Sequence, residues 1–255
     1  MTIYHIGYHK TGTTWINNVL LPQVRPVLNQ RGIRVVCKEG LSGSLLHDDT
    51  GRAAQLAAEA PDSKVVICVR NQKTMIGSLY WLYVKSGGCL SLPRYVDALI
   101  ANGKLRYDVL AGAYVDAFGE DRVLVLTYER LRTDPHDWLA VVAAFWRIPA
   151  ETMPSALAEQ RVNPRPTDGF VELTRLANTA LRPRARPAFL ARRVPQLLWL
   201  ALEKPVIAAG RRHGIHRRDD NGVMMAIDAA YAVSNRALAG RFAVDLAGCG
   251  YPGVP

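Results

Sequence analysis

The chain has 255 residues, of which 49% are hydrophobic, and 32 basic against 22 acidic side chains give a formal net charge of +10. This length and apolar content are enough to bury a core, which excludes a disordered or collagen-like chain. The four cysteines lack the paired spacing of zinc sites and are too few for a disulfide scaffold, so reduced thiols are expected.

Short apolar runs alternate with helical patterns along the first part of the chain. Four runs are predicted to be strands, at residues 3–8, 33–37, 64–69 and 122–127. A helix is predicted from Trp15, broken or kinked by Pro22 and Pro26. Further helices are predicted at residues 52–60, 75–84, 95–101, 109–118 and 137–146. The alternation predicts an α/β fold with a central parallel sheet flanked by helices.

Residues after Pro149 contain helical patterns and proline-rich joints but no convincing strand. A single domain is therefore predicted, with an α/β nucleotide-binding core at 1–149 and a helical C-terminal portion at 150–255.

The positive charge is concentrated in one basic segment, residues 181–218. It contains nine arginines and Lys204 against one acid, Glu203, a net charge of +9 that leaves the rest of the chain nearly neutral. This distribution argues against nucleic-acid binding by the whole protein. Its apolar stretch is too short and interrupted to span a bilayer. Three interpretations stay open: an amphipathic helix on an anionic membrane, a helix packed on the core, or a site for an anionic acceptor.

The first residues, MTIYHIGYHKTG, show no basic stretch followed by a long apolar run, so no signal peptide is predicted. A cytoplasmic location is expected, with peripheral contact to the inner membrane face if the basic segment binds lipid.

The string GYHKTGTTW lies where the first strand should end and the first helix begin, the place where open α/β sheets bind ligands. Gly7 and Gly12 have the G-x-x-x-x-G spacing of a phosphate-binding loop, which brings backbone N–H groups close to a phosphate. In ATP-binding loops a lysine follows the second glycine, whereas here Thr13 stands there and Lys10 lies inside the loop. This shift argues against a magnesium-dependent ATPase and favours a grip on one phosphate, with Lys10 aimed at a leaving group. The alternative is an ordinary turn capped by Thr13 or Thr14.

The segment HKTGTTW resembles the 5′-phosphosulfate-binding loop of sulfotransferases that use 3′-phosphoadenosine 5′-phosphosulfate (PAPS). The segment RNQKTMIGSLYW, with Arg70 at a strand end and Ser78 on the next helix, is similar to the family's 3′-phosphate motif. Gln72 replaces the usual proline there, which is expected to weaken the turn into the helix. VLVLTYERL, RVNPRP and SNRALAGRFAVDLAGCGYP also resemble parts of the family, so the resemblance spans most of the chain.

The resemblance implies a P-loop-NTPase-like fold and a set of nucleotide-binding residues. The residues implied for the 5′-phosphosulfate are Lys10, Thr11, Gly12, Thr13 and Thr14. Arg70 and Ser78 would bind the 3′-phosphate, since an arginine fork suits a phosphate and a serine adds a hydroxyl donor. Trp15 would stack on adenine and Tyr128 would line the site, with core packing as the alternative for both. Arg161 and Asn163 fall where a C-terminal segment of the family covers the nucleotide.

The reaction implied is in-line transfer of a sulfuryl group from PAPS to a hydroxyl or amine, leaving adenosine 3′,5′-bisphosphate (PAP). Lys10 and the loop N–H groups would stabilise the charge that develops on the leaving phosphate. A monoanionic sulfuryl group requires no metal, and none is expected.

A hydroxyl acceptor also needs a general base, for which two residues are candidates. Carbohydrate-modifying family members place a glutamate in the region of Glu39, in VVCKEG, although a solvated surface acid is the alternative for this residue. His47 is the second candidate because the unperturbed pKa of histidine suits proton transfer.

The expected acceptor is therefore a carbohydrate or glycolipid hydroxyl. Sulfation of a small-molecule hydroxyl or a peptide tyrosine, and a non-catalytic membrane-associated nucleotide-binding protein, are the alternatives.

Overall fold

The apolar runs of the sequence form one parallel sheet. The computed structural model describes residues 1–8, 10–44, 46–154, 168–181 and 221–254. The strands are β1 (Thr2–His5), β2 (Arg34–Cys37), β3 (Lys64–Val69) and β4 (Val123–Thr127), in the order β2–β1–β3–β4. All three strand pairs are parallel, with His5 opposite Cys37 and Val66. The predicted central parallel sheet is confirmed.

Helices surround this sheet on both faces. In chain order they are α1 (Thr13–Trp15), α2 (Leu21–Gln30), α3 (Gly51–Glu59), α4 (Gln72–Lys85), α5 (Leu92–Ala101), α6 (Tyr107–Phe118), α7 (Tyr128–Thr133), α8 (Pro135–Trp146), α9 (Asp168–Leu181) and α10 (Asn221–Arg241). Successive residues of a strand point to opposite faces. Val65, Ile67 and Val69 accordingly pack with α4 to α6, whereas Val66 packs with α2 and α8.

The first helix differs from the sequence prediction at its prolines. A π-helical turn, Ile16–Leu20, joins α1 to α2, and α2 then runs through Pro26 without a break. Pro22 lies in the first turn of α2, where the missing N–H costs little. The π turn immediately before it locally changes the i→i−4 hydrogen-bond pattern of the helix. The predicted break at Pro22 or Pro26 is therefore wrong, and the irregular turn lies earlier, at Ile16–Leu20.

The strand order creates a topological switch point in the sheet. The chain passes from β1 to β2 on one side and then crosses to β3 on the other, so β1 and β3 are neighbours at a topological switch point. The loop at residues 6–12 follows β1, and Arg70 follows β3. Both therefore lie at the carboxyl edge of the sheet, where such folds bind ligands.

The described residues after Pro149 contain α9 and α10 and no strand. Helix α10 packs against α4, α5 and α6, while α9 packs against α4. Residues 182–220, which include nearly all of the basic segment, lie outside the described residues, and the division at 149/150 stays a prediction. Within the described chain, no helix combines the length and apolarity needed to cross a membrane.

Candidate functional site

The loop after β1 is too closely packed for side chains at its two glycines. A Cβ atom on Gly7 would lie 2.7 Å from Thr11 Oγ1. Gly12 has a φ of 93°, in the left-handed region that favours glycine, and its Cβ would lie 3.2 Å from a methyl carbon of Leu131. The predicted glycine spacing therefore has a steric cause in this fold.

The middle of the loop is held in an uncommon conformation. Lys10 has a φ of 71°, which few residues other than glycine adopt, and its side chain is exposed. The Thr11 hydroxyl donates to the Tyr8 carbonyl at 2.6 Å. Backbone strain of this kind clusters at ligand-binding sites. The loop thus directs a cation outward at the carboxyl edge of the sheet.

Thr13 supplies a buried hydroxyl at the start of α1. Its side chain is 6% exposed, and Oγ1 has no hydrogen-bond partner among the described residues. Gly12, which precedes the helix, provides no side-chain cap for the first N–H groups. A buried hydroxyl and uncapped helix N–H groups form a donor set that suits an anion.

Arg70 joins the end of β3 to the phosphate loop. Its Nη1 donates to the Lys10 carbonyl at 3.0 Å, and its Nε donates to Thr74 Oγ1 at 3.0 Å. The guanidinium carbon lies 4.8 Å from the centroid of the Tyr128 ring, within the range of a cation–π contact. The structure therefore brings together three of the predicted site elements: the loop, Arg70 and Tyr128.

Ser78 lies on α4, about two helical turns beyond Arg70, which precedes the helix. Its hydroxyl donates to the Thr74 carbonyl at 3.2 Å. Arg70, Thr74 and Ser78 are spaced four residues apart and so line one side of the helix start. Thr74 was not predicted, although this spacing is visible in the sequence.

The predicted aromatic residues have different surroundings. Tyr128 begins α7 and lies beside the loop, with ring carbons 3.6 Å from the position of a Gly12 Cβ. Trp15 is 9% exposed and packs in the apolar cluster with Ile16 and Leu20. Most of the Trp15 ring surface is therefore covered by the core, and stacking of this ring on adenine stays a prediction. Arg161 and Asn163 lie outside the described residues.

A partly buried carboxylate, that of Glu129, connects the C-terminal tail to the end of β3. Glu129 Oε1 accepts the Asn71 N–H at 3.1 Å, and Oε2 accepts the Tyr251 hydroxyl at 3.0 Å. The Asn71 side chain donates to the carbonyls of Cys249 and Gly250. Burial raises the pKa of Glu129, and the Asn71 hydrogen bond opposes that rise. These partners are distant in sequence, and only the family resemblance marked this stretch.

Gln72, which replaces the usual proline of the motif, lies at the start of α4. The Asn71 side chain caps the helix by accepting from the Lys73 N–H at 3.0 Å. Gln72 is fully buried, and its amide exchanges hydrogen bonds of 2.7 and 3.2 Å with the amide of Asn235 on α10. The turn into α4 thus has a side-chain cap and a buried amide pair, and whether it is weaker than one with proline stays a prediction.

The two predicted general bases lie on one segment beyond β2, residues 39–49. Glu39 is partly buried and begins a 3₁₀ turn, Glu39–Ser42. Burial lowers the pKa of His5 to about 4, and the charge of nearby Glu39 opposes that shift. His47 is exposed, with Nδ1 3.2 Å from Ser44 Oγ. The segment follows β2, next to β1, so both candidates lie on the loop side of the sheet.

A buried polar network that the sequence did not reveal links this segment to the loop. The Lys104 ammonium lies 2.6 Å from Asp48 Oδ1, and the two side chains are 1% and 9% exposed. The Tyr8 hydroxyl donates to Asp48 Oδ2 at 2.8 Å, and the Leu105 N–H donates to the same oxygen at 3.1 Å. Lys104 also lies 4.4 Å from the Tyr8 ring centroid.

No group of three or more His, Cys, Asp or Glu side chains within the described ranges is arranged to hold a metal ion. Two surface clefts lie along β4, lined by residues of β4, α8 and the stretch 241–245.

Comparisons with known proteins find one family model that matches part of the chain. Residues 53–164 match the family model described as a sulfotransferase domain, a stretch that contains Arg70, Ser78 and Tyr128. No curated protein matches the chain.

Solved structures similar to the chain include two sulfotransferases. One is a sulfotransferase from Alicyclobacillus acidocaldarius, at 16% identity and a TM-score of 0.47, covering 72% of this chain and 96% of the other. The second is mouse sulfotransferase SULT7A1 complexed with PAP, at 15% identity and a TM-score of 0.42, covering 72% of this chain and 68% of the other.

Proposed function

We propose that this chain, a member of the PAPS-dependent sulfotransferase family, transfers the sulfuryl group of PAPS to a hydroxyl or amine, with a carbohydrate or glycolipid as acceptor. The observation that carries the proposal is the junction of the two phosphate-binding elements. Arg70 donates directly to the Lys10 carbonyl, so one cation from each element lies at the same edge of the sheet.

The 5′-phosphosulfate of the donor fits the loop. Lys10 supplies an exposed cation, and Thr13 supplies a buried hydroxyl with no described partner. Thr11 would contribute through its N–H, because its hydroxyl is bonded to Tyr8. The uncapped N–H groups at Thr13 and Thr14 complete the set of donors.

The 3′-phosphate fits Arg70 and Ser78. A guanidinium has five N–H donors, and the described contacts of Arg70 occupy two of them. The cation–π contact with Tyr128 fixes the plane of the guanidinium, which favours a two-pronged grip on phosphate oxygens. Tyr128 and Trp15 are proposed for the adenine ring, and Arg161 and Asn163 for covering the nucleotide.

The transfer step follows from this arrangement. The acceptor oxygen bonds to sulfur while the bond from sulfur to the bridging phosphate oxygen breaks, and that oxygen keeps the electron pair. Lys10 and the loop N–H groups stabilise the new charge on PAP. The acceptor proton passes to Glu39 or His47, which lie on one segment beside the loop.

The acceptor class rests on Glu39. Carbohydrate-modifying members of the family place a glutamate in this region. In this chain Glu39 is close enough to His5, at the end of β1, for its charge to raise the pKa of that histidine against the effect of burial. Sulfation of a small-molecule hydroxyl or a peptide tyrosine is the second candidate, for which His47 would be the base. A cytoplasmic location and membrane contact through the basic segment stay predictions, as does the absence of a metal requirement.

Transfer of label from ³⁵S-PAPS to a panel of carbohydrate, phenol and peptide acceptors tests the proposal. We expect acceptor-dependent release of PAP by the wild type and a loss of at least about a hundredfold in Lys10→Ala, the scale of removing one preorganised charge contact. Lys73→Ala is the matched control, because this lysine of α4 forms a partly exposed ion pair with Asp228 of α10. Glu39→Gln and His47→Gln identify the base. PAP binding without transfer to any acceptor would favour the non-catalytic alternative.

A further inference from the structure

Tyr8 lies inside the phosphate loop, yet its side chain points away from the exposed face of the loop into the core. It is 1% exposed, and its hydroxyl bonds Asp48, 40 residues further along the chain. Its carbonyl accepts the Thr11 hydroxyl. The loop is therefore held at Tyr8 from both sides, by a core carboxylate and by its own threonine.

Asp48 is itself fixed by contacts with a third part of the chain. It pairs with the buried ammonium of Lys104 at 2.6 Å and accepts the Leu105 N–H at 3.1 Å. A buried ion pair contributes little net stability relative to apolar side chains of similar size. What it does contribute is a fixed position for the carboxylate, and through it for the Tyr8 hydroxyl.

The same carboxylate also bounds the segment that carries the proposed bases. Asp48 immediately follows His47, and its backbone pairs with Gly43 in an isolated antiparallel bridge. The Asp48 side chain therefore contacts Tyr8 in the loop after β1. Its main chain closes the turn at residues 43–48, which contains His47.

We propose that Tyr8 is a positioning residue, which Asp48 holds so that the loop N–H groups and Lys10 meet the 5′-phosphate of the nucleotide. This inference rests on the proposed function, and it identifies Tyr8 and Asp48 as the residues that hold the PAPS-binding loop in place. It predicts that loss of the Tyr8 hydroxyl weakens recognition of the 5′-phosphate and leaves recognition of the rest of the nucleotide unchanged.

Calorimetric titration of Tyr8→Phe with two nucleotides tests this inference. PAP carries both phosphates, whereas adenosine 3′-monophosphate lacks the 5′-phosphate. We expect the Kd for PAP to rise about tenfold, because small displacements of positioning groups have effects of this size or larger. The Kd for adenosine 3′-monophosphate should stay within about twofold of wild type, because the Arg70 guanidinium is also held outside the loop, by Thr74 Oγ1 and by the Tyr128 ring.

Tyr80→Phe is the matched control, because this buried tyrosine donates one hydrogen bond to the Leu90 carbonyl away from the loop. It should change neither Kd. An equal loss for both nucleotides in Tyr8→Phe would show general destabilisation and overturn the inference, as would an unchanged Kd for PAP. If the wild type bound no PAP, the proposed function itself would be contradicted, and this inference with it.

Discussion

Replacing Lys104 by methionine should destabilise the protein far more than an ordinary lysine substitution does. The substitution keeps the apolar stem of the side chain and removes only the ammonium, which lies 2.6 Å from Asp48 Oδ1 and 4.4 Å from the Tyr8 ring centroid. Both charged side chains are almost fully buried. The variant therefore leaves a carboxylate in the core without its counter-charge.

Removing one partner of such a pair costs about 3–5 kcal/mol, because the remaining charge stays desolvated. For a chain of this length, a loss of that size lowers Tm by about 6–20 °C. The assay is thermal unfolding followed by circular dichroism. Lys73→Met is the matched control, since its pair with Asp228 at 2.7 Å is over one third exposed on both sides. An exposed pair of this kind contributes about 1 kcal/mol at most.

The cost in Lys104→Met should also depend on pH. Burial raises the pKa of Asp48, and Lys104 opposes that rise, so the variant should have a still higher pKa at Asp48. A carboxyl with a higher pKa in the folded state gives stability at low pH that is lost as pH rises through that value. The destabilisation should therefore be smaller at about pH 5 than at about pH 8. A cost equal to that of Lys73→Met, or one independent of pH, would refute this reasoning.

The glycine and arginine of the site give two further predictions. Gly12→Ala should cost about 1–2 kcal/mol of stability, because its φ of 93° is unfavourable for residues with a Cβ; Gly222→Ala, with open space around it, is the control in the same unfolding assay. Equal costs would contradict the steric account of the loop. Arg70→Lys should weaken PAP about tenfold in calorimetry, because lysine lacks the planar fork and the stacking on Tyr128. Adenosine 5′-monophosphate, which lacks the 3′-phosphate, should bind the variant as it binds the wild type, and an equal loss for both nucleotides would contradict the assignment.

The sheet and the helices around it could be predicted from local patterns. The apolar run at 64–69 is the strand β3 without a change of boundary, and the predicted helix at 137–146 begins only two residues earlier. These patterns are strong because β3 is buried on both faces and α8 on one. The first strand was predicted too long, at 3–8, because Ile6 and Tyr8 are apolar for another reason. They belong to the loop after β1, which ends at His5, and their side chains are buried in the core.

The residues proposed to bind phosphate could be identified in the sequence because their spacing is local, whereas the residues that support them could not. Tyr8, Asp48 and Lys104 come from three separate stretches, and nothing near Lys104 in the sequence distinguishes it from a solvated lysine. The amide pair of Gln72 and Asn235 spans 163 residues. Such contacts depend on how the helices pack, which periodicity and motif spacing do not specify.

The central claim, that the loop and Arg70 bind the two phosphates of PAPS, is tested most directly by calorimetric titration of the wild-type chain with PAP. A parallel titration uses ATP with Mg²⁺. PAP should bind at least about tenfold tighter than ATP, because a 3′-phosphate gives Arg70 a charge-assisted partner that ATP lacks. Lys10 also lies before the second glycine, where no triphosphate loop places its lysine. Binding of ATP with Mg²⁺ as tight as that of PAP, or no binding of PAP, would contradict the account.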